Sequence, residues 1–133
     1  MYLSQSPSSL PLAITMGDAA GIGPEIIAQL YREAPEDLAG SFVVGDVAIM
    51  RRAASISLRT GCLPLPVALI QNPAEAWSVP QLCIPVLQPC PGPGAVAWGQ
   101  ISPAAGAFAG ACVVWAARSA LRGQIAGLVT APL

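Results

Sequence analysis

The sequence predicts an α/β domain in which a layered sheet carries flanking helices. Three observations lead there. Short apolar runs stop abruptly at glycine, as buried strands do when they enter tight turns. Segments with apolar residues at helical spacing open on proline or on a capping side chain. The two kinds of segment alternate from the start, giving β-α-β-α, the opening of an α/β layered domain. The 133 residues have the usual length of one domain with its own core.

Residues 1–11 read as a disordered polar leader rich in Ser and Pro, and the structured region is expected over 12–133. Leu12-Ala13-Ile14-Thr15-Met16 is the first predicted strand, running into glycine at Gly17. Pro24 suits the first turn of a helix by its fixed φ and missing N–H. Ile26, Ile27, Leu30 and Tyr31 then recur at helical spacing, and the helix is expected to reach about Ala34, before Pro35. Ser41–Gly45 is a second strand, followed by Asp46 as N-cap of a helix carrying Val47, Ile49, Met50 and Ala53. Between Leu58 and Gly99 the pattern is weaker, with short strands expected at 67–70 and 82–87. Pro85 marks the latter as an edge strand or an interrupted one. Ser102-Pro103 repeats the cap-and-proline signature and opens a long helix to about Leu121, stopped by Gly123. Gly106 and Gly110 each cost that helix about 1 kcal/mol relative to Ala, which predicts close packing of another backbone on the small face. Residues 125–130 read as a buried strand. The chain then stops at Leu133 directly after an apolar strand, which suggests truncation of a longer protein.

Composition narrows the partners. Apolar residues make up 54% and charged residues 10%, more apolar than an average soluble domain, so surface remains for a partner to cover. The net charge of -1, carried by six Arg and no Lys, gives no basic footprint, and nucleic acid is not an expected ligand. Cys62, Cys83, Cys90 and Cys112 form no C-x-x-C pair, and the chain has no His, so no metal site is expected from this segment. The thiols read as free and mostly buried in a reducing cytoplasm. Residues 1–11 lack a basic start and an apolar run, so no secretory signal is expected. Prolines at 80, 85, 89, 91, 93 and 103 break the uncharged stretch from Ala76 to Ala117, and no membrane span is expected.

The main functional clue is Gly17-Asp18-Ala19-Ala20-Gly21-Ile22-Gly23-Pro24-Glu25. A strand that ends in several glycines and opens a helix aims backbone N–H groups and the positive helix end at one spot, which suits a phosphate or a dinucleotide. The spacing is neither G-x-G-x-x-G nor a P-loop. It satisfies G-x-x-x-G-x-G, which resembles the cofactor turn of short-chain dehydrogenases. Those enzymes also need a Tyr-x-x-x-Lys pair, absent here, so only a truncated member would fit. Glycines that merely permit a tight turn are the plainer explanation, and a small non-catalytic anion-binding module is a further alternative.

The string Ile14–Glu25, taken with Val129-Thr130-Ala131-Pro132-Leu133, resembles the amino-terminal part of the 4-hydroxythreonine-4-phosphate dehydrogenase family. Phe42–Asp46, Gly99–Ser102 and the Gly106 helix fall where that family has similar segments. Its usual proline at the third place of the turn is Ala19 here. The resemblance implies an isocitrate/isopropylmalate dehydrogenase-like fold, incomplete in this chain. It implies a homodimeric, cytoplasmic enzyme that uses NAD or NADP and a divalent metal such as Zn, Mg or Co. The implied reaction is oxidation, with decarboxylation, of 4-phosphohydroxy-threonine or a related four-carbon phosphorylated substrate, on the way to pyridoxal phosphate. The family's metal-binding histidines and its substrate-binding His, Lys and Arg match no position up to Leu133. The resemblance therefore carries over no catalytic and no metal residue, only loop positions: Gly17, Asp18, Gly21, Gly23 and Thr130 as cofactor-binding candidates. Ala131, Pro132 and Glu25 accompany them, Glu25 also being favoured by the helix dipole alone. Both loops follow predicted strand ends, where α/β sheets place ligands. Asp18 has two readings, a site residue or a cap of the turn.

Overall fold

The computed structural model describes residues 9–56 and 61–133. Five strands, β1 (Leu12–Thr15), β2 (Ser41–Val44), β3 (Val67–Leu69), β4 (Ile84–Leu87) and β5 (Gly127–Thr130), form one sheet in the order β3-β4-β2-β1-β5. Every pairing is parallel. Three helices accompany them, α1 (Gly23–Glu33), α2 (Val47–Ile56) and α3 (Pro103–Leu121), with 3-10 turns at Pro35–Leu38 and Pro73–Ser78. The predicted α/β layered class is the one observed. The leader expected over 1–11 falls mostly on residues outside those described; Pro11 is already buried, and its carbonyl accepts from Ala126 N at 2.8 Å.

Side-chain alternation along β2 places the helices on the two faces of the sheet. Ser41 meets Tyr31 of α1 hydroxyl to hydroxyl at 2.7 Å, whereas the neighbouring Phe42 meets the Trp115 ring of α3 edge-on, with centroids 6.2 Å apart. α1 packs against α2 on the first face, and α3 covers the second. The core lies between these layers, with Phe42, Met16, Met50, Ile84 and Val86 sealed from solvent.

The caps follow the sequence. Asp46 Oδ1 accepts from Ile49 N at 2.9 Å, and Ser102 Oγ accepts from Ala105 N at 3.3 Å. Gly123, at φ +73°, closes α3 with N–H bonds from Gly123 to Ala120 O and from Gln124 to Ser119 O, the paired pattern of a Schellman motif.

Five expectations are corrected. First, β4 is an interior strand between β3 and β2, despite Pro85. Its pairing with β2 begins at Val43↔Val86, one residue past the proline, so the missing N–H falls outside that part of the ladder. β4 also starts at Ile84 instead of residue 82, because Leu82 stands in the left-handed region at φ +61°. Second, β5 is one of the two edge strands among the described residues, β3 being the other, and is only half-buried, with Val129 54% exposed. It begins at Gly127, two residues later than expected. Third, Gly106 and Gly110 face open space, with nothing within 4 Å of an added Cβ. Fourth, α1 buries Ile27, Ala28 and Tyr31 but exposes Ile26 and Leu30 with Ile22, a second apolar stripe pointing outward. Fifth, of the four free cysteines only Cys112 is buried, while Cys62 is exposed.

α3 is long and apolar enough to cross a membrane by length and composition. Here it is the crossover joining parallel strands β4 and β5 of the same sheet, packed on it through Ala105, Phe108, Ala109, Cys112, Ala116 and Ser119.

Burial also sets an alkaline limit. The Tyr31 phenol is pushed up to about 12 by burial, with its Ser41 hydrogen bond acting the other way. The Cys112 thiol is pushed up to about 12 by burial, with Cys90 and Asp46 adding to it. Both are held neutral in the fold above their ordinary values of 10.0 and 9.0, so the unfolded chain releases these protons first. Their contribution is complete below pH 9.0 and is lost as pH rises towards 12. The melting temperature should therefore fall across that window, and less steeply in Cys112→Ala. Equal slopes for the two proteins would remove Cys112 as a cause.

Candidate functional site

The strand order reverses between β1 and β5. From β1 the chain moves to β2 by way of α1 on one face, and it returns to β5 on the other side of β1 by way of α3 on the opposite face. In open α/β sheets the crevice at the carboxyl ends of strands, at such a switch point, is where ligands bind. Both loops singled out from the sequence meet there.

The turn after β1 and the loop after β5 are bonded to each other. Asp18 N donates to Pro132 O at 3.0 Å, and Ala131 N donates to Thr15 O at 3.0 Å. Gly17 has φ +76°, and a Cβ on it would run into the Pro132 carbonyl oxygen. A Cβ on Gly23 would sit 2.6 Å from Met16 O and 3.0 Å from the Ala131 methyl. These two glycines are thus required by the joint between the loops. Gly21 differs: its φ is not positive, and an added Cβ would meet only Asp18, at an ordinary 3.4 Å or more. The chain's own packing does not demand glycine there.

The hydrogen bonds narrow what the turn offers. Asp18 Oδ1 accepts from Ala20 N at 2.9 Å, so Asp18 caps the turn, and Gly21 N donates to Asp18 O at 3.0 Å. The N–H groups of Asp18, Ala20 and Gly21 are spent inside the protein and do not form the cradle that the run of glycines suggested. What remains is the start of α1, whose N-cap Ile22 supplies no side-chain bond and whose Pro24 has no N–H. The first-turn N–H groups and the positive helix end suit one phosphate-sized anion, with the Glu25 carboxylate in the same turn opposing it. Thr130 is exposed, its hydroxyl turned onto Ala131 O at 2.9 Å. Thr15, its partner in register, is sealed from solvent, and its hydroxyl has no hydrogen-bond partner.

The site has a third wall that the sequence did not reveal. The segment 88–101 crosses the turn, and Gly99 N donates to Ala20 O at 2.8 Å. Arg52 of α2 reaches both, donating to Val96 O at 2.8 Å and to Ala19 O at 3.1 Å, with Trp98 stacked on it. An arginine on a helix next to Arg51 looks in the sequence like a solvated charge, so no local signal marks it.

A divalent metal does not fit these residues. The chain has no His, and no group of three His, Cys, Asp or Glu side chains stands together among the described residues.

Comparison with known proteins agrees with this architecture. No family model matches the chain. It is 41% identical to the D-threonate 4-phosphate dehydrogenase of Bordetella bronchiseptica over 136 residues, covering 100% of this chain and 38% of that protein. It is 35% identical to the 4-hydroxythreonine-4-phosphate dehydrogenase of Caulobacter vibrioides, covering 95% of this chain and 35% of that one. Among solved structures, the 4-hydroxythreonine-4-phosphate dehydrogenase of Klebsiella pneumoniae superposes with a TM-score of 0.79 at 38% identity, over 94% of this chain and 38% of that chain. The one from Burkholderia phymatum gives 0.78 at 30% identity, over 92% of this chain and 36% of that chain. The chain therefore spans little more than a third of the length of the relatives it matches.

The fold and these relatives define a dehydrogenase class built on the isocitrate dehydrogenase-like α/β plan. Within that class, the relatives it matches over nearly all of its own length are the D-threonate and 4-hydroxythreonine-4-phosphate dehydrogenases.

Proposed function

We propose that this chain is the turn-bearing part of a dehydrogenase that oxidises a four-carbon hydroxy acid carrying a 4-phosphate. The reaction uses NAD or NADP and proceeds with metal assistance and decarboxylation; with 4-phosphohydroxy-threonine as substrate it lies in the route to pyridoxal phosphate. The observation that carries the reading is the meeting of the two family loops at the β1/β5 switch point, beside the uncapped start of α1. 4-Phosphohydroxy-threonine and D-threonate 4-phosphate both fit the description. The 41% identity to a D-threonate 4-phosphate dehydrogenase favours the second as substrate.

A bound dinucleotide would supply the hydride acceptor. This chain's residues do the holding: Gly21 leaves room for close approach, the α1 start supplies N–H donors, and the Gly17–Pro132 joint fixes the crevice. Because no metal ligand set stands among the described residues, the 133 residues alone are expected to be inactive. A cytoplasmic, homodimeric whole enzyme completes the proposal.

Two experiments test it. The purified chain, given NAD or NADP, either 4-phosphate and Zn²⁺, Mg²⁺ or Co²⁺, should show no cofactor reduction, and clear turnover would overturn its inactivity. Residues 12–133 grafted in place of the matching segment of the Bordetella bronchiseptica enzyme should restore oxidation. A folded chimera without activity on either substrate would overturn the family function. In that chimera Gly21→Ala should raise the KM for substrate or dinucleotide about tenfold while changing stability by under about 0.5 kcal/mol.

A further inference from the structure

We propose that Arg52 is a positioning residue that locks the glycine turn Gly17–Gly23 beneath the segment 96–100. Its guanidinium divides its forks between two carbonyl oxygens of different segments, Val96 O at 2.8 Å and Ala19 O at 3.1 Å. Its Cζ lies over the Trp98 ring, 3.9 Å from the ring centroid. Nε is buried without a partner. A charged group that spends its donors on carbonyls and leaves one nitrogen unsatisfied is held for the bridge it makes. Directly beside it, Gly99 N donates to Ala20 O at 2.8 Å, so turn and crossing segment are tied twice within a few residues.

The planar fork matters as much as the charge. Lysine carries the charge as a single point and cannot serve two carbonyls while stacking flat on an indole. The turn itself contributes little rigidity of this kind: its internal bonds set its shape, whereas its position over the sheet depends on Pro132 on one side and Arg52 on the other. Loss of Arg52 should free the Ala19–Ala20 side of the turn and leave the Gly17–Pro132 joint intact. The functional consequence rests on the reading of the turn as an anion site; the clamp does not.

Amide hydrogen exchange at Gly99 reads the clamp, and Ile84, a buried β4 residue whose N–H donates to Pro66 O at 2.9 Å, reads global opening. Arg52→Ala and Arg52→Lys should each speed exchange at Gly99 about tenfold while leaving Ile84 unchanged. Arg52→Ala should also shift Trp98 emission to the red as its stacking partner disappears. If Arg52→Ala does not fold, Arg52→Lys and Trp98→Leu decide by the same readout. Unchanged exchange at Gly99, or a rise only in step with Ile84, would overturn the proposal. In a titration with inorganic phosphate, Arg52→Lys should bind more weakly than the parent chain. Equal binding would overturn the positioning role. A parent chain that binds no phosphate would instead overturn the anion reading and leave the exchange data to decide the clamp.

Discussion

Gly17→Ala is expected to lower the unfolding free energy by roughly 2–5 kcal/mol, seen as a shift of the urea midpoint with unchanged slope. Two costs combine. The backbone at φ +76° is one that an L side chain adopts only at a cost of about 1–2 kcal/mol. The new methyl would also run into Pro132 O, with Ala131 O 3.0 Å away. Those obstacles are backbone atoms, so no rotamer change relieves them, and the loops must separate at the expense of the Asp18 N to Pro132 O bond. Gly21→Ala is the matched control, since its Cβ meets only ordinary contacts on Asp18. A Gly17→Ala variant less than about 1 kcal/mol weaker than the parent would mean that the loops are not locked as described.

This contrast shows what the sequence could disclose and what it could not. β1, β2, α1, α2 and α3 were readable because their signals are local: an apolar run stopped by Gly17, Pro24 and Pro103 at helix starts, Asp46 and Ser102 as caps. Strand order is a non-local property. Pro85 argues for an edge only if both sides of the strand need its N–H at that residue, and the β2 ladder begins one residue later. The apolar pattern of 125–130 likewise reports composition, whereas burial depends on what lies beyond β5. At the site, the sequence located both loops but assigned the glycines to a ligand as a group. The structure divides them: Gly17 and Gly23 serve the joint with residues 131–132, and only Gly21 has no packing reason of its own. Arg52 and Trp98 were invisible because their meaning depends on carbonyls brought together by the fold.

The other large effect is expected at Asp46, which anchors the beginning of the segment whose end Arg52 holds. Asp46 is 8% exposed; Oδ1 caps α2 through Ile49 N at 2.9 Å, and Oδ2 accepts from Gln88 Nε2 at 3.3 Å. Gln88 in turn accepts from Val47 N at 3.1 Å and donates to Cys90 O at 3.2 Å. Gly92 passes so close that a Cβ there would run into Oδ2. Asp46→Ala removes the cap, strands the buried Ile49 N–H and leaves the half-buried Gln88 Nε2 only its bond to Cys90 O, for an expected loss of about 2–4 kcal/mol in denaturant unfolding. Asp46→Asn keeps an oxygen for the cap but sets an amide N–H₂ against Gln88 Nε2, so a loss of about 1–2 kcal/mol is expected. If Asp46 and Arg52 hold opposite ends of one segment, their effects on Gly99 exchange cannot be independent. With the start of the segment already released, Arg52→Lys should accelerate that exchange by clearly less in the Asp46→Ala background than in the parent. Equal acceleration in both backgrounds would mean that the two ends of the segment move separately, and that Arg52 alone governs the approach to the turn.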